Sequence, residues 1–79
     1  MFKNTNADGT LNLCSKRVAA LRKERNLSQR ALADELQLRG LDIGKNMIQQ
    51  LESGRRYVSD IELKVIAEYF SVTTDSLLG

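Results

Sequence analysis

Apolar residues recur along this chain at helical spacing, and no stretch alternates as a half-buried strand would. Cys14, Val18 and Leu21 stand at i, i+4 and i+7, which predicts a first helix ending near Asn26. Ser28 then offers a capping hydroxyl to a second helix whose inner face is Leu32, Ala33 and Leu36. Ala31 occupies the position where a capping box would carry glutamate, so that cap is expected to be one-sided. In the stretch KNMIQQLESGRR, Ile48 and Leu51 mark the buried edge of a third helix, Lys45 to Ser53, with Gly54 placed to stop it. Ser59 and Glu62 have capping-box spacing ahead of Leu63, Ile66, Ala67 and Phe70, the face of a fourth helix. Val72, then Leu77 and Leu78 after a cap at Thr73 or Thr74, predict a short fifth. The expected fold class is all-α, an orthogonal bundle of five helices.

Two segments fall outside this periodicity. Residues 1–12 are polar, contain Asp8-Gly9, and read as a flexible N-terminal arm preceding a domain of residues 13–79. Between the second and third helices lies QLRGLDIG, a connection punctuated by Gly40 and Gly44. Leu38, Leu41 and Ile43 are expected to tuck it against the core, leaving Arg39 outside.

At 79 residues there is room for one domain, and any function must lie on its surface. The chain has no histidine and one cysteine, which excludes cysteine–histidine metal sites, histidine acid–base chemistry and an internal disulfide. Cys14 reads as a small buried hydrophobe. With no glycine-rich phosphate loop ahead of a helix and no nucleophile, base and orienter, the residues do not suggest an enzyme, a metal or a cofactor. No apolar run has the roughly 18 residues of a membrane span, and the first residues lack a secretory hydrophobic segment, so a soluble cytoplasmic protein is expected. Net charge is only +2, but it is unevenly spread. Residues 14–58 carry ten basic and five acidic residues, whereas residues 59–79 carry one base and four acids. That asymmetry predicts one part that faces a polyanion and another that faces water or a protein.

The exposed edge of the third helix carries Lys45, Asn46, Gln49 and Gln50. Taken alone, this edge is either an ordinary solvated helix face or a reader of bases: amides donate and accept at once, which suits adenine's edge in the major groove, and lysine can donate to guanine. Two short helices joined by a glycine-containing turn can brace and present such an edge, so double-stranded DNA is the partner this chemistry suggests.

LSQRALADEL (Leu27 to Leu36), followed by IQQLESGRR (Ile48 to Arg56) and then by I-A-x-x-F-x-V-x-x-D-x-L-L, resembles the Cro/CI-type helix-turn-helix (XRE) family of phage and bacterial regulators, whose fold is the lambda-repressor-like five-helix bundle. The resemblance covers about Leu13 to Leu78 and implies a sequence-specific transcriptional regulator, a repressor by the commonest pattern. It implies base contacts from Lys45, Asn46 and Gln50, with Gln49 beside them. Gln29 is implied to hold a phosphate and buttress the third helix, and Ser53, Arg55 and Arg56 to follow the DNA backbone. Arg17 and Arg39 are added as phosphate candidates because they are cations beside these elements. Arg22 and Glu52 match a pair that forms a structural salt bridge in some repressors. The chain departs from the family in its connection between helices two and three, about five residues longer than usual, and in Gly44 where serine or threonine usually caps helix three. Regulators of this kind commonly bind a palindromic operator as homodimers, which here would form through the fourth helix, the fifth or the arm. The competing expectation is a protein-interaction module of the same fold, an antitoxin or adaptor, with a protein partner on the acidic C-terminal helices through residues such as Tyr69 and Leu78.

Overall fold

The computed structural model describes residues 6–79; part of the expected arm, residues 1–5, lies outside them. Five helices follow in order: α1 (Ser15–Glu24), α2 (Gln29–Leu38), α3 (Lys45–Glu52), α4 (Asp60–Phe70) and α5 (Thr74–Leu78). There is no strand among the described residues, and no helix is long and apolar enough to cross a membrane. The bundle is the all-α, five-helix arrangement that the periodicity predicts.

The expected apolar faces point inward, except that Leu78 at the end of α5 is exposed. Val18 and Leu21 of α1, Leu32, Ala33 and Leu36 of α2, Ile48 and Leu51 of α3, Ile66, Ala67 and Phe70 of α4, and Leu77 of α5 form one core with Cys14. Leu63 packs against this core from its edge, half-buried. Helix α3 packs on α1 and α2, while α4 and α5 close the other side through contacts to α2 and α1. The result presents α3 as a helix with two braced neighbours and one open face.

Caps set the helix limits. Ser28 accepts a hydrogen bond from the Ala31 N–H, the one-sided cap expected there, whereas Ser59 and Glu62 complete a reciprocal capping box. Thr73, not Thr74, caps α5. Four helices end alike: after α1, α2, α3 and α4 the chain turns through the left-handed region at Asn26, Gly40, Gly54 and Ser71. The next N–H then returns to a carbonyl in the last turn, from Leu27 to Arg22, Leu41 to Leu36, Arg55 to Gln50 and Val72 to Ala67. These are Schellman endings, and they satisfy carbonyls that short helices would otherwise leave open.

The connection between α2 and α3 differs in part from expectation. Leu41 and Ile43 are buried, and the Gln37 side chain donates to the Ile43 carbonyl at 2.8 Å. Leu38, however, is 82% exposed. Helix α2 runs on to Leu38, and helical phase puts that residue two positions past Leu36, off the inner face.

Candidate nucleic-acid interface

Helix α3 is built as an amphipathic presenter. Ile48 and Leu51 are fully buried and Met47 is half-buried, while Lys45, Asn46, Gln49 and Gln50 are all exposed and form one stripe at i, i+1, i+4 and i+5. Gly44 precedes the helix with extended backbone and no side-chain cap, and there is open space where its Cβ would stand.

The C-terminal turn of α3 is anchored. Arg22 of α1 makes a two-armed ion pair with Glu52, Nε to Oε2 at 2.6 Å and Nη2 to Oε1 at 2.9 Å, and its Nη1 donates to the Leu27 carbonyl at 2.7 Å. The two side chains are only 12% and 8% exposed. The hydrogen bonds that Arg22 donates to Glu52 push its guanidinium pKa up against the opposing effect of burial. Gln29, at the first position of α2, donates from Nε2 to Glu52 Oε1 at 3.2 Å. One carboxylate therefore ties α1, α2 and α3 together at the root of the exposed stripe.

The segment after α3 is equally ordered. Ser53 Oγ donates to the Gln50 carbonyl and accepts from Arg55 Nε at 3.2 Å, and both residues are exposed. Arg56 is turned inward: its Nη2 meets Glu62 Oε2 at 2.8 Å and its Nη1 donates to the Tyr57 carbonyl. Burial alone would raise the Glu62 pKa, but the hydrogen bonds from Arg56 and from the Ser59 N–H outweigh it and hold the carboxyl below its ordinary value. Arg56 thus fastens the loop to the start of α4, and Arg55 is the guanidinium that faces outward.

The remaining cations divide. Arg17 is exposed in the first turns of α1. Arg39 is not simply left outside; its guanidinium lies 5.2 Å from the centre of the Tyr69 ring. Arg25 stacks on the same ring at 5.1 Å and donates to the Tyr69 carbonyl. Both contacts are within cation–π range, so Tyr69 is half-buried under two arginines. Sequence spacing places Arg39 in the connection after α2 and Tyr69 on α4, and holds no sign of this stack.

Residues missed by sequence reasoning are in the expected arm. Residues 6–12 fold back on themselves and lie against the end of α3. Asn12 Nδ2 donates to the Leu51 carbonyl at 3.1 Å and to the Arg56 carbonyl at 2.8 Å, and the Leu11 N–H donates to the Gly54 carbonyl at 2.7 Å. A polar, aperiodic stretch carries no local mark of partners some forty residues away.

Comparison with known proteins agrees with this geometry. A family model described as helix-turn-helix matches residues 18–77. An HTH-type transcriptional activator of Enterococcus faecalis, BcrR, is 36% identical over 65 residues, 82% of this chain and 29% of the relative. The chain thus spans less than a third of the relative's length. No solved structure matches. The match runs from α1 into α5 and takes in the whole of α2, the connection and α3, so the chain belongs to the helix-turn-helix family of XRE type, the Cro/CI-like group its sequence resembles.

Proposed function

We propose that this protein is a sequence-specific regulator of transcription that binds double-stranded DNA by laying α3 in the major groove. The observation that carries this reading is the stripe Lys45, Asn46, Gln49 and Gln50 on a helix that buries Ile48 and Leu51 fully on its other side and whose root is anchored through Glu52. An exposed row of amides on a braced helix matches base-edge readout, whereas cations chiefly position the backbone. Ser53, Arg55 and Gln29 flank the stripe at the end of α3 and the start of α2, and with Arg17 they are the proposed phosphate contacts. Arg56 and Arg39 have internal partners, so their contribution to phosphate binding would be through the loop and through the α2 end respectively.

The sign of regulation we propose is repression by occupancy, since a folded unit of this size seated on a promoter blocks it without further apparatus. The Enterococcus faecalis relative is named an activator, but most of its length lies outside the match. A promoter reporter with and without the protein separates the two. We also propose a homodimer on a palindromic site, with recognition helices in successive major grooves about 34 Å apart. Tyr57 and Ile61, 56% and 69% exposed beside the loop that carries Arg55, support a second copy on that side.

The second reading, a protein-interaction module, is favoured by Leu78, 42% exposed at the end of the acidic third of the chain. Tyr69 no longer supports it, because two arginines cover the ring.

Selection of bound duplexes from a random pool, run on wild type and on Gln50→Ala, tests the proposal. Enrichment of a palindromic motif that loses information at one position per half-site in the variant is the expected outcome, with a cost of roughly 1 to 3 kcal/mol on the parent site. Failure to enrich any motif would move the function to the interaction module.

A further inference from the structure

We propose that Asn12 is a positioning residue for the phosphate-binding loop: residues 6–12 act as a clasp that fixes the segment from Ser53 to Tyr57, and through it the alignment of Arg55 on the DNA backbone. The inference rests on the DNA-binding reading given above.

The clasp has a closed internal structure. The Asn6 N–H donates to the Thr10 carbonyl and the Gly9 N–H to the Asn6 carbonyl, each within 2.9 Å. Asn6 Nδ2 donates both to Thr10 Oγ1 and to the Asn12 carbonyl at 2.8 Å. Asp8 closes the turn by accepting from the Thr10 N–H and hydroxyl.

This unit grips the loop at three points spaced along it. The Asn12 amide bridges the Leu51 carbonyl, in the last turn of α3, and the Arg56 carbonyl, so the two ends of the turn are held by one side chain. Between them, the Leu11 N–H holds the Gly54 carbonyl. Thr10 packs so closely that a Cβ added at Gly54 would stand 2.5 Å from its methyl group. Arg55 lies between the gripped residues Gly54 and Arg56, with an exposed side chain whose hydrogen bond among the described residues is to Ser53 Oγ. From below, Arg56 fastens the same loop to Glu62. A backbone constrained from both sides presents a phosphate donor with less ordering to be done on binding, and releasing one side makes contact with DNA cost that ordering.

Two variants remove the clasp by different routes: Asn12→Ala deletes the side-chain bridge, and Leu11→Pro deletes the backbone donor while leaving Asn12 in place. Thr73→Ala serves as a control that loses the α5 cap without touching the loop. Binding is measured across a salt series on the duplex selected by the wild type and on a scrambled duplex of the same composition, at a temperature where circular dichroism shows every variant folded. Both clasp variants should bind both duplexes roughly tenfold more weakly, leaving the ratio between duplexes unchanged, and the log K against log salt slope should be shallower by about one. Thr73→Ala should keep the wild-type affinity and slope. Wild-type affinity and slope in Asn12→Ala and Leu11→Pro would overturn the proposal, as would a loss matched by the control. Amide exchange in the absence of DNA, read at Arg55 in every protein and at Leu11 in wild type and Asn12→Ala, separates the failures. Slow exchange in wild type and fast exchange in the variants, with no duplex bound by any, would overturn the DNA reading and the role in binding with it. Equal exchange in all would overturn the clasp itself.

Discussion

Four backbone positions in the left-handed region end four of the five helices, and the residues that occupy them differ in strain. Gly40 and Gly54 take this conformation freely, whereas Asn26 and Ser71 carry a Cβ into it. Ser71→Gly should raise stability by about 0.5 to 1 kcal/mol, measurable as a rise of several degrees in the melting temperature. Gly54→Ala is the opposite case, because strain there adds to the contact with Thr10. A loss of more than about 2 kcal/mol is expected in denaturant melts. The S-x-x-E cap and the glycine stops were legible at this scale because a cap or a left-handed turn is decided by residues within one helical turn. The two arginines on Tyr69 were not, because which helices bring them together is settled elsewhere in the chain.

Among the elements, α3 and α4 carry the consequences for function. Gly44 starts α3 without a side-chain acceptor, and its φ is negative and its surroundings open. Gly44→Ser should therefore stabilise the helix by a few tenths of a kcal/mol, seen as a small rise in the denaturant midpoint with an unchanged slope. The start of α4 depends on Glu62, which both completes its cap and pairs with Arg56. Its folded pKa lies below the unfolded value of about 4.3, so its stabilisation is complete above that pH and is lost as pH falls through the folded pKa. Glu62→Gln should be less stable than wild type by on the order of 1 kcal/mol at neutral pH. The gap should narrow in acid below about pH 4, which stability curves of both proteins taken against pH would show; a constant gap would contradict the assignment. Helix periodicity exposed the faces of both elements in advance, since core positions repeat every turn. Leu38 escaped it because α2 runs on into the connection, where neighbouring apolar residues no longer share a face.

For the whole molecule, the expected outcome is electrostatic. The basic residues are concentrated before Ser59, and four to six neutralised phosphates would make log K fall with log salt at a slope of roughly −4 to −5, readable from titrations at several salt concentrations. Two protein copies per full palindromic duplex in light scattering would establish the dimer, and one copy would oppose it. Arg55→Ala should weaken every duplex similarly, while Gln50→Ala should alter the preferred sequence.

The residue order by itself determined the number of helices, their buried faces, most of their caps and the exposed stripe on α3. Each of these follows from spacing within a few residues, which the 3.6-residue period makes visible. It also paired Arg22 with Glu52 and set Gln29 apart as a buttress of the third helix, though only through resemblance to a family. Tertiary structure alone decided which charges are spent internally: Arg56 on Glu62, and Arg25 and Arg39 on Tyr69. It likewise turned the polar segment 6–12 toward the end of α3, through hydrogen bonds that span 39 and 44 positions of chain. Those pairings depend on where distant backbone groups come to rest once the core has closed, and a hydrogen-bonding side chain does not record in its own neighbours which carbonyl it will meet.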